Sequence, residues 1–317
     1  MKILSTLSKD LSLYERIKRK IYRLFSNKVI WRPDYVVANI EVTNYCNLAC
    51  TTCVNPILKR KKGLMTMDIF QKSLEVCKDD NIQKVKLYMH GEPFVHPEYM
   101  EMLKMACFKN FPSVSTSTNG MLLNEKIIDE LLDIGISKIQ YSFSGWDQES
   151  YEKVYKKGSF DKAIENITLI NKKIKQKNLP LTTLDVNGLA NKDDLKTIQH
   201  CEEFLLRLEL DPTQFRIHSP GNFGGYVSTK NKRIDLHNLP TYCGKLDKRV
   251  GVYWDGNITA CGCSDPNGEL IIGHINKDRF SSLRRSEKYQ RLVRCFEKRE
   301  LNKIPICYNC RSLPPAL

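Results

Sequence analysis

The sequence predicts an α/β fold, with a partial barrel of about six β–α units followed by a small α+β domain rich in cysteine. Between residues 36 and 225, short apolar segments alternate with amphipathic segments of helical periodicity, which is typical of parallel strands joined by helices. After Gly221 the composition changes: residues 221–225 predict a linker and residues 251–263 a hairpin, and residues 243–317 contain six of the twelve cysteines. A chain of 317 residues is long enough to bury a core of this size.

We predict three regions: residues 1–35, the barrel at 36–225 and the small domain at 226–317. Residues 10–25 predict a basic amphipathic helix, which either packs against the barrel or lies on an anionic membrane surface. No apolar run approaches the roughly 18 residues of a spanning helix, and the N-terminus lacks the apolar core of a secretory signal. We therefore expect a cytoplasmic protein, whose cysteines are metal ligands or buried thiols.

The predicted strands of the barrel end where polar or glycine-containing segments begin. They cover residues 35–43, 85–90, 113–120, 138–145, 181–190 and 213–219. The predicted helices cover residues 65–78, 96–108, 124–135, 147–156, 160–176 and 192–208. Thr66 is placed to cap the first helix and Gly135 to end the third. In parallel barrels the chemistry lies at the carboxyl ends of the strands, where His90 and His218 also fall.

The formal charge of +14 raises the question of a nucleic-acid partner. The basic residues cluster at 15–25, 58–63 and 283–300, and each cluster is interleaved with apolar residues at helical spacing. This pattern favours an anionic substrate, or a generally lysine-rich composition, over a nucleic-acid partner.

Cys46, Cys50 and Cys53 follow the first strand at spacings of four and three. A [4Fe–4S] cluster has four irons, each of which takes one thiolate. Three cysteines in one loop leave one iron open to chelation by a substrate or cofactor. The loop therefore predicts an iron–sulfur site that keeps a coordination position for chemistry.

This C-x3-C-x2-C loop, together with Gly91-Glu92-Pro93 after the second strand, resembles the radical S-adenosylmethionine (SAM) superfamily over residues 36–225. The resemblance implies that the cluster on Cys46, Cys50 and Cys53 binds SAM through its open iron and cleaves it to a 5′-deoxyadenosyl radical. That radical abstracts a hydrogen atom from the substrate. A reductant such as a flavodoxin or ferredoxin is then expected as a partner.

The resemblance also implies a set of SAM-contacting residues at three strand ends. They are Gly91, Glu92, Pro93, Ser117, Asn119, Ser142 and Ser144. Ser144 stands where relatives usually carry an aspartate, and Tyr155 stands near a position where they often carry an arginine. We therefore expect the SAM carboxylate to be held in another way. The alternative is that each polar side chain only forms hydrogen bonds with the backbone at the end of its strand.

The tail pattern Cys243-x12-Gly256-x4-Cys261, followed by Cys307-x2-Cys310, resembles the first half of a SPASM module in its shortened, twitch-like form. The resemblance implies a second [4Fe–4S] cluster that is fully ligated by these four cysteines and moves electrons. A four-thiolate zinc site is the competing interpretation.

Cys263 is not one of the four cysteines expected to bind the second cluster. It either replaces Cys261 as a ligand, donates a hydrogen atom during epimerisation, or is a small buried hydrophobe. The remaining cysteines lie on apolar helix faces and are predicted to be core residues. They are Cys77, Cys107, Cys201 and Cys295.

These observations predict a radical SAM oxidoreductase or epimerase that acts on a carbinol carbon of a polar small molecule, such as a sugar, cyclitol or aminoglycoside-like alcohol. One alternative is a peptide-modifying maturase that forms thioethers or epimerises residues. Many such enzymes carry a leader-binding domain ahead of the barrel. The roughly 35 residues ahead of the barrel in this sequence are few for such a domain. The non-enzymatic alternative is an iron–sulfur or zinc scaffold.

Overall fold

The computed structural model describes residues 34–190, 194–228, 239–262 and 264–311. Its strands are β1 (Val37–Ile40), β2 (Lys84–Lys86), β3 (Ser113–Thr118), β4 (Lys138–Ser142), β5 (Thr183–Leu189), β6 (Phe215–His218), β7 (Arg249–Val252), β8 (Asn257–Thr259) and β9 (Ile271–His274). Its helices are α1 (Met67–Asp79), α2 (Tyr99–Phe108), α3 (Glu125–Asp133), α4 (Gln148–Val154), α5 (Phe160–Gln176), α6 (Leu195–Arg207), α7 (Gly244–Lys248), α8 (Phe280–Leu283), α9 (Glu287–Glu297) and α10 (Pro305–Tyr308). The described strands form one sheet in the order β6-β5-β4-β3-β2-β1-β7-β8-β9.

Strands β1 to β6 pair in parallel with their sequence neighbours, and helices connect them. This arrangement confirms the predicted partial barrel of six β–α units. The helix boundaries follow local capping: Thr66 accepts a hydrogen bond from the Ile69 amide, and Asn124 caps α3 in the same way. β2 is shorter than predicted, because the chain beyond it leaves the sheet, where His90 bonds to Glu41.

Alternation along the parallel strands divides the barrel sheet into two faces. The outer face is apolar, and its residues lie among the most buried in the chain. They include Ala38, Ile40, Val85, Val114, Ile139 and Val186. The opposite side, called the inner face below, carries polar side chains from β2 to β6. Its uncharged members include Tyr88, Ser115, Ser117, Gln140, Ser142 and Asn187.

The small domain extends the barrel sheet. β7 pairs in parallel with β1, aligning Ala38 with Val250 and Ile40 with Val252. β8 pairs with β7 and β9 pairs with β8, both antiparallel, so the predicted hairpin at 251–263 is confirmed for the residues described. The first strand of the barrel therefore touches the small domain directly.

Residues 221–225, which were predicted to be a linker, are instead anchored to the C-terminal cysteine pair. They form a short 3-10 helix, Phe223–Gly225. Asn222 donates a hydrogen bond to the carbonyl of Asn309 at 2.6 Å, and a Cβ on Gly224 would lie 2.2 Å from Ile306. The segment is therefore packed against α10.

The predicted helix at residues 10–25 lies outside the described residues. In the part of the chain that is described, no helix is both long and apolar enough to cross a membrane. The four cysteines predicted to be core residues pack into the hydrophobic core, with Cys107 only partly buried. The buried ones are Cys77, Cys201 and Cys295.

Candidate cofactor and substrate site

Cys46, Cys50 and Cys53 lie together in the loop after β1, half-buried. Two backbone amides point at their sulfurs: Leu48 N lies 3.5 Å from Cys46 Sγ, and Asn55 N lies 3.4 Å from Cys53 Sγ. Amide hydrogen bonds of this kind stabilise the thiolates of iron–sulfur clusters and tune their potential. The donor set therefore fits a cluster held by three thiolates.

The thiols of this loop become thiolates only at a cost unless a cation lies beside them. Burial raises the pKa of Cys46 to about 11, and burial together with the neighbouring Cys53 and Cys46 raises the pKa of Cys50 to about 12. Three adjacent thiolates repel one another in a partly desolvated loop. Binding to iron releases the protons and supplies the missing positive charge.

Other segments fix the position of the cysteine loop. Thr51 N donates to the carbonyl of Val154 at the end of α4, at 2.9 Å. Asn119 Nδ2 donates to Asn47 Oδ1 at 2.9 Å, which ties the loop to the end of β3. The loop is therefore clamped between the ends of β3 and α4.

The Gly91-Glu92-Pro93 segment lies directly against the chain that leads into Cys46. A Cβ on Gly91 would lie 2.5 Å from the carbonyl oxygens of Thr43 and Tyr45, so only glycine fits here. Glu92 N donates to the Tyr45 carbonyl at 2.9 Å. The predicted SAM-contacting segment and the cysteine loop are thus in backbone contact.

The Glu92 carboxylate is buried and organises the end of β3. It accepts hydrogen bonds from the Thr118 hydroxyl at 2.8 Å and from the Asn119 amide at 2.8 Å. Burial raises its pKa to about 7, although these donors act in the opposite direction. Ionising this carboxylate is therefore costly until a cation, such as the ammonium group of a ligand, approaches it.

The remaining predicted SAM contacts differ in their surroundings. Ser117 and Ser142 lie half-exposed on the inner face. Ser144 is buried, and its hydroxyl accepts from Leu189 N at 2.9 Å and lies 3.3 Å from the Tyr155 hydroxyl. Tyr155 therefore fills the space beside Ser144.

Cys243, Cys261, Cys307 and Cys310 line one cavity in the small domain. Burial and the charges of the three other thiols raise the pKa of Cys307 above its usual range. Apolar side chains contribute to the wall. They are Leu246, Leu270, Phe296 and Ile306. The structure thus brings together the four cysteines that were predicted to be ligands of the second cluster, in largely apolar surroundings.

Cys263 lies outside the described residues. Among the residues that the structure does describe, no group of three or more His, Cys, Asp or Glu side chains forms a site for a metal ion. The four tail thiols line a cavity, and four thiolates are a donor set that fits a [4Fe–4S] cluster or a zinc ion.

Residues 58–64, which include one of the basic clusters, form a strap between the barrel and the small domain. Lys59 N donates to Asn267 Oδ1 at 2.8 Å, and the indole of Trp254 donates to the Lys61 carbonyl at 3.2 Å. An isolated antiparallel β-bridge between Thr43 and Leu64 lies at the C-terminal end of the strap. These contacts give this segment a structural role that the charge pattern alone did not indicate.

A buried ionic group lies under the strap. Arg60 Nη2 is 2.9 and 2.8 Å from the two carboxylate oxygens of Glu41, and His90 Nδ1 is 2.8 Å from one of them. The Arg60 guanidinium also stacks on Tyr253, 3.8 Å from the ring centre, and its Nε donates to the Pro266 carbonyl. The group joins β1, the end of β2 and the loop that follows Cys261.

Sequence reasoning missed this ionic group. The signal available was Glu41 inside an apolar strand segment, because a carboxylate in such a position requires a partner. The partner itself, Arg60, was read only as part of a basic cluster. Of the two histidines expected near the mouth, His90 is buried, whereas His218 is exposed and lies 3.2 Å from Asn187 Oδ1.

The inner face also carries charged side chains. They are Lys84, Lys86, Lys138, Asp185 and Arg216. Lys138 Nζ lies 2.7 Å from Asp185 Oδ2, and Arg216 Nε lies 3.9 Å from the same oxygen. Inward-facing side chains of a closed parallel barrel are usually apolar and packed. A polar, partly exposed inner face is instead the expected lining of a substrate site.

Comparisons with known proteins agree with this geometry. A family model described as the radical SAM superfamily matches residues 40–200, and a model of the SPASM iron–sulfur cluster-binding domain matches residues 243–311. The two matches cover the cysteine loop and the four-cysteine cavity, respectively.

Several curated proteins are similar in sequence over part of their length. GTP 3′,8-cyclase of Aliarcobacter butzleri is 26% identical over 219 residues, which are 67% of this chain and 65% of that protein. An uncharacterised protein of Methanocaldococcus jannaschii is 31% identical over 134 residues, 42% of this chain and 43% of that protein. A tungsten-containing aldehyde ferredoxin oxidoreductase cofactor-modifying protein of Pyrococcus furiosus is 32% identical over 104 residues, 32% of this chain and 29% of that protein. The chain spans less than two thirds of each.

Solved structures of low sequence identity share the fold. BtrN in complex with AdoMet and 2-DOIA has a TM-score of 0.59 at 17% identity, over 88% of this chain and 93% of that chain. Streptococcus suis SuiB bound to precursor peptide SuiA has a TM-score of 0.66 at 14% identity, over 89% of this chain and 71% of that chain. The anSMEcpe structure with AdoMet and Cp18Cys peptide has a TM-score of 0.60 at 15% identity, over 86% of this chain and 88% of that chain. These likenesses confirm the partial barrel with its C-terminal domain.

Proposed function

The chain belongs to the radical SAM superfamily and carries a SPASM-type iron–sulfur domain, and we propose that it oxidises or epimerises a carbinol carbon of a polar small molecule. When bound, SAM and its [4Fe–4S] cluster supply a 5′-deoxyadenosyl radical that removes a hydrogen atom, and an auxiliary cluster supplies an acceptor for the electron that oxidation releases. The substrate class is a sugar, a cyclitol or a related alcohol. A flavodoxin or ferredoxin is the proposed reductant, and the cytoplasm the proposed location.

The residues assigned to the cofactors follow from the contacts above. We assign Cys46, Cys50 and Cys53 to the SAM cluster, and the four cysteines of the tail cavity to the auxiliary cluster. Glu92 is the assigned partner of the SAM amino group, because it is a buried carboxylate with no ion pair among the described residues and lies against the cysteine loop. Gly91 lets the two segments approach.

The polarity of the inner face is the observation that carries the substrate proposal. Hydroxyl and amide groups from three neighbouring strands, at Ser117, Gln140, Ser142 and Asn187, point to the same side of the sheet. Such groups pair with substrate hydroxyls, and they discriminate strongly against ligands that leave them unpaired. Because the cysteine loop lies at the carboxyl ends of the same strands, a polar substrate on this face lies below the SAM site.

Relatives suggest what else the test should include. The curated relatives named GTP 3′,8-cyclase act on a nucleotide by their name, and the SuiB and anSMEcpe structures contain peptides. Peptide modification is the second proposal, and it is weaker, because a likeness at 14–15% identity concerns the fold alone. A polar inner face also offers few apolar contacts to a peptide side chain.

The deciding experiment uses anaerobically reconstituted protein with SAM and a strong reductant. It is incubated with separate panels of cyclitols and sugars, of nucleotides including GTP, and of peptides. We expect 5′-deoxyadenosine to form together with a product that either lacks two hydrogen atoms or is an epimer of a polyol. Deuterium at the reacting carbon should appear in 5′-deoxyadenosine. Substrate-dependent turnover of peptides or nucleotides alone would overturn the polyol proposal.

The Cys263→Ala variant tests whether the carbinol carbon is epimerised with this thiol as the hydrogen donor. If the reaction is epimerisation with this thiol as hydrogen donor, Cys263→Ala keeps SAM cleavage but stops product formation. Cys295→Ala is the matched control, since Cys295 is a buried thiol away from the cavity. Normal turnover by Cys263→Ala with both clusters bound would exclude Cys263 as the hydrogen donor.

A further inference from the structure

The charges of the described strand residues on the inner face are unbalanced. Four of these side chains are cationic, Lys84, Lys86, Lys138 and Arg216, whereas Asp185 is the one carboxylate among them. Pairing in register shows that they share one face: Lys84 aligns with Ser113, Lys86 with Ser115, and Ser115 with Lys138. Arg216 aligns with Asn187, nearer the carboxyl ends of the strands. These described strand residues therefore carry a formal excess of three positive charges.

The Asp185 carboxylate is not available to attract a cationic ligand to this face. Its side chain is only 7% exposed, and it is already contacted by Lys138 at 2.7 Å and by Arg216 at 3.9 Å. A carboxylate held between two cations is a poor partner for an incoming ammonium group, because its charge is already compensated. The Arg216 side chain is 59% exposed, so its charge reaches the open side of the face.

The nearest buried acids at the mouth are also engaged. Glu41 is bound by Arg60 and His90, and Glu92 accepts from Thr118 and Asn119 at the cofactor end. No acidic side chain among the described strand residues of the inner face remains to attract a cationic substrate. A concave surface of one sign attracts ligands of the opposite sign and repels those of its own.

We propose that the substrate carries an anionic group, a phosphate or a carboxylate, that is held by Lys86, Lys138 and Arg216 on the inner face. This proposal rests on the proposed function and narrows it: an acidic or phosphorylated sugar or cyclitol fits, and an aminated one does not. Ser115 lies between Lys86 and Lys138 and is small, so both long side chains can reach over it toward one group. The neutral part of the substrate then extends toward Ser142 and the carboxyl ends.

Four matched probes test the proposal on the reconstituted enzyme with SAM and an oxidised cluster, so that no turnover occurs. They are glucose, glucose 6-phosphate, glucuronate and glucosamine, and their dissociation constants are measured by calorimetry at low and high salt. We expect both anions to bind about tenfold more tightly than glucose, and glucosamine to bind most weakly. The preference should shrink as salt rises.

Substitutions of opposite sign exclude a merely structural effect. Lys86→Gln should weaken anion binding several-fold and leave glucose binding unchanged. Asp185→Asn should strengthen anion binding, because it releases Lys138 and Arg216. Lys126→Gln removes one charge from the exposed surface of α3 and serves as the control for net charge. Equal binding of all four probes, binding of none, or a preference for glucosamine would overturn the proposal.

Turnover assays keep this result separate from the proposed function. If a neutral or aminated polyol is oxidised while the anions show no preference, the anionic class is wrong and the reaction stands. If the anions bind preferentially but no polyol supports formation of 5′-deoxyadenosine, the binding site stands and the proposed reaction is wrong.

Discussion

Arg60 and Glu41 form a buried ion pair, with one guanidinium nitrogen 2.9 and 2.8 Å from the two carboxylate oxygens. Glu41 immediately follows β1, and Arg60 belongs to the strap that contacts the small domain through Pro266 and Tyr253. The pair thus fixes the start of the cysteine loop to the segment that follows Cys261. Two predicted cofactor sites that lie far apart in sequence share this one anchor.

Removing Arg60 should destabilise the protein strongly. Arg60→Gln leaves the Glu41 carboxylate, which is fully buried, with only His90 as an ionic partner. Breaking a buried pair on one side costs about 3–5 kcal/mol of the free energy of unfolding. Denaturant unfolding under anaerobic conditions measures this loss.

The control is Lys303→Gln, which breaks an exposed pair with Glu300 and should cost at most about 1 kcal/mol. The double variant Glu41→Gln/Arg60→Gln should be more stable than Arg60→Gln alone, because no charge remains buried. If Arg60→Gln is no less stable than Lys303→Gln, the pair is not the anchor.

Gly91→Ala should displace the cysteine loop. Its Cβ would meet the Thr43 and Tyr45 carbonyl oxygens at 2.5 Å, and backbone cannot move aside cheaply there. We expect iron incorporation at the SAM cluster to fall by more than half, with the tail cluster retained. Iron and sulfide per chain, with the spectrum of the remaining cluster, are the measurements.

Gly135→Ala is the comparison variant for that prediction. Gly135 has a left-handed backbone, at φ +76°, but nothing lies within 4 Å of its Cβ position. It should lose about 1 kcal/mol of stability through backbone strain and keep its full iron content. Equal iron loss in both variants would show that contact with the cysteine loop is not responsible.

The two cysteine groups should hold iron independently. We expect about eight irons per chain after reconstitution, and about four in Cys46→Ala/Cys50→Ala/Cys53→Ala. A Cys307→Ala/Cys310→Ala variant should also hold about four, because its two thiols line the tail cavity. Cys77→Ala, a core change, should keep all of them. Zinc in place of half of the iron would contradict the second cluster.

Glu92 should make stability depend on pH. Burial raises its pKa in the folded protein from 4.5 to about 7, so the folded state binds more protons than the unfolded state between these values. The free energy of unfolding without SAM should therefore fall as pH rises through this window, by up to about 3 kcal/mol. Unfolding curves at several pH values measure the slope.

Glu92→Gln should remove that part of the slope, because the amide does not titrate. SAM should weaken it in the native protein, since the ammonium group of the ligand favours the ionised carboxylate. An unchanged slope in Glu92→Gln would assign the pH dependence to other groups.

The sequence predicted the barrel because its signals are local. Strand alternation, the Thr66 and Asn124 caps and the spacing of Cys46, Cys50 and Cys53 are all contained within short stretches. The α5 helix even has its predicted bounds. The cysteine loop was predicted from its spacing and the tail group from its resemblance to a SPASM module, and the structure brings each group together.

The remaining features depend on contacts between distant residues. Nothing near Arg60 in sequence indicates that it binds Glu41 and the Pro266 carbonyl, because the second contact joins residues more than 200 positions apart. The segment 221–225 looked like a linker because it is rich in glycine, yet those glycines permit close packing against Ile306 and Asn309. The polar inner face also became visible only when the strands were placed in register.

The parallel pairing of β1 with β7 has a consequence for how the chain folds. β1 ends at Ile40 and β7 begins at Arg249, so more than 200 residues must be synthesised before this edge of the barrel is covered. Until then β1 presents an unpaired edge, which is a template for association between chains. Pairs so distant in sequence also form slowly. The small domain therefore covers this edge only once it has been synthesised and has folded, so the nascent barrel depends on the late-made part of the chain to lose its exposed strand edge.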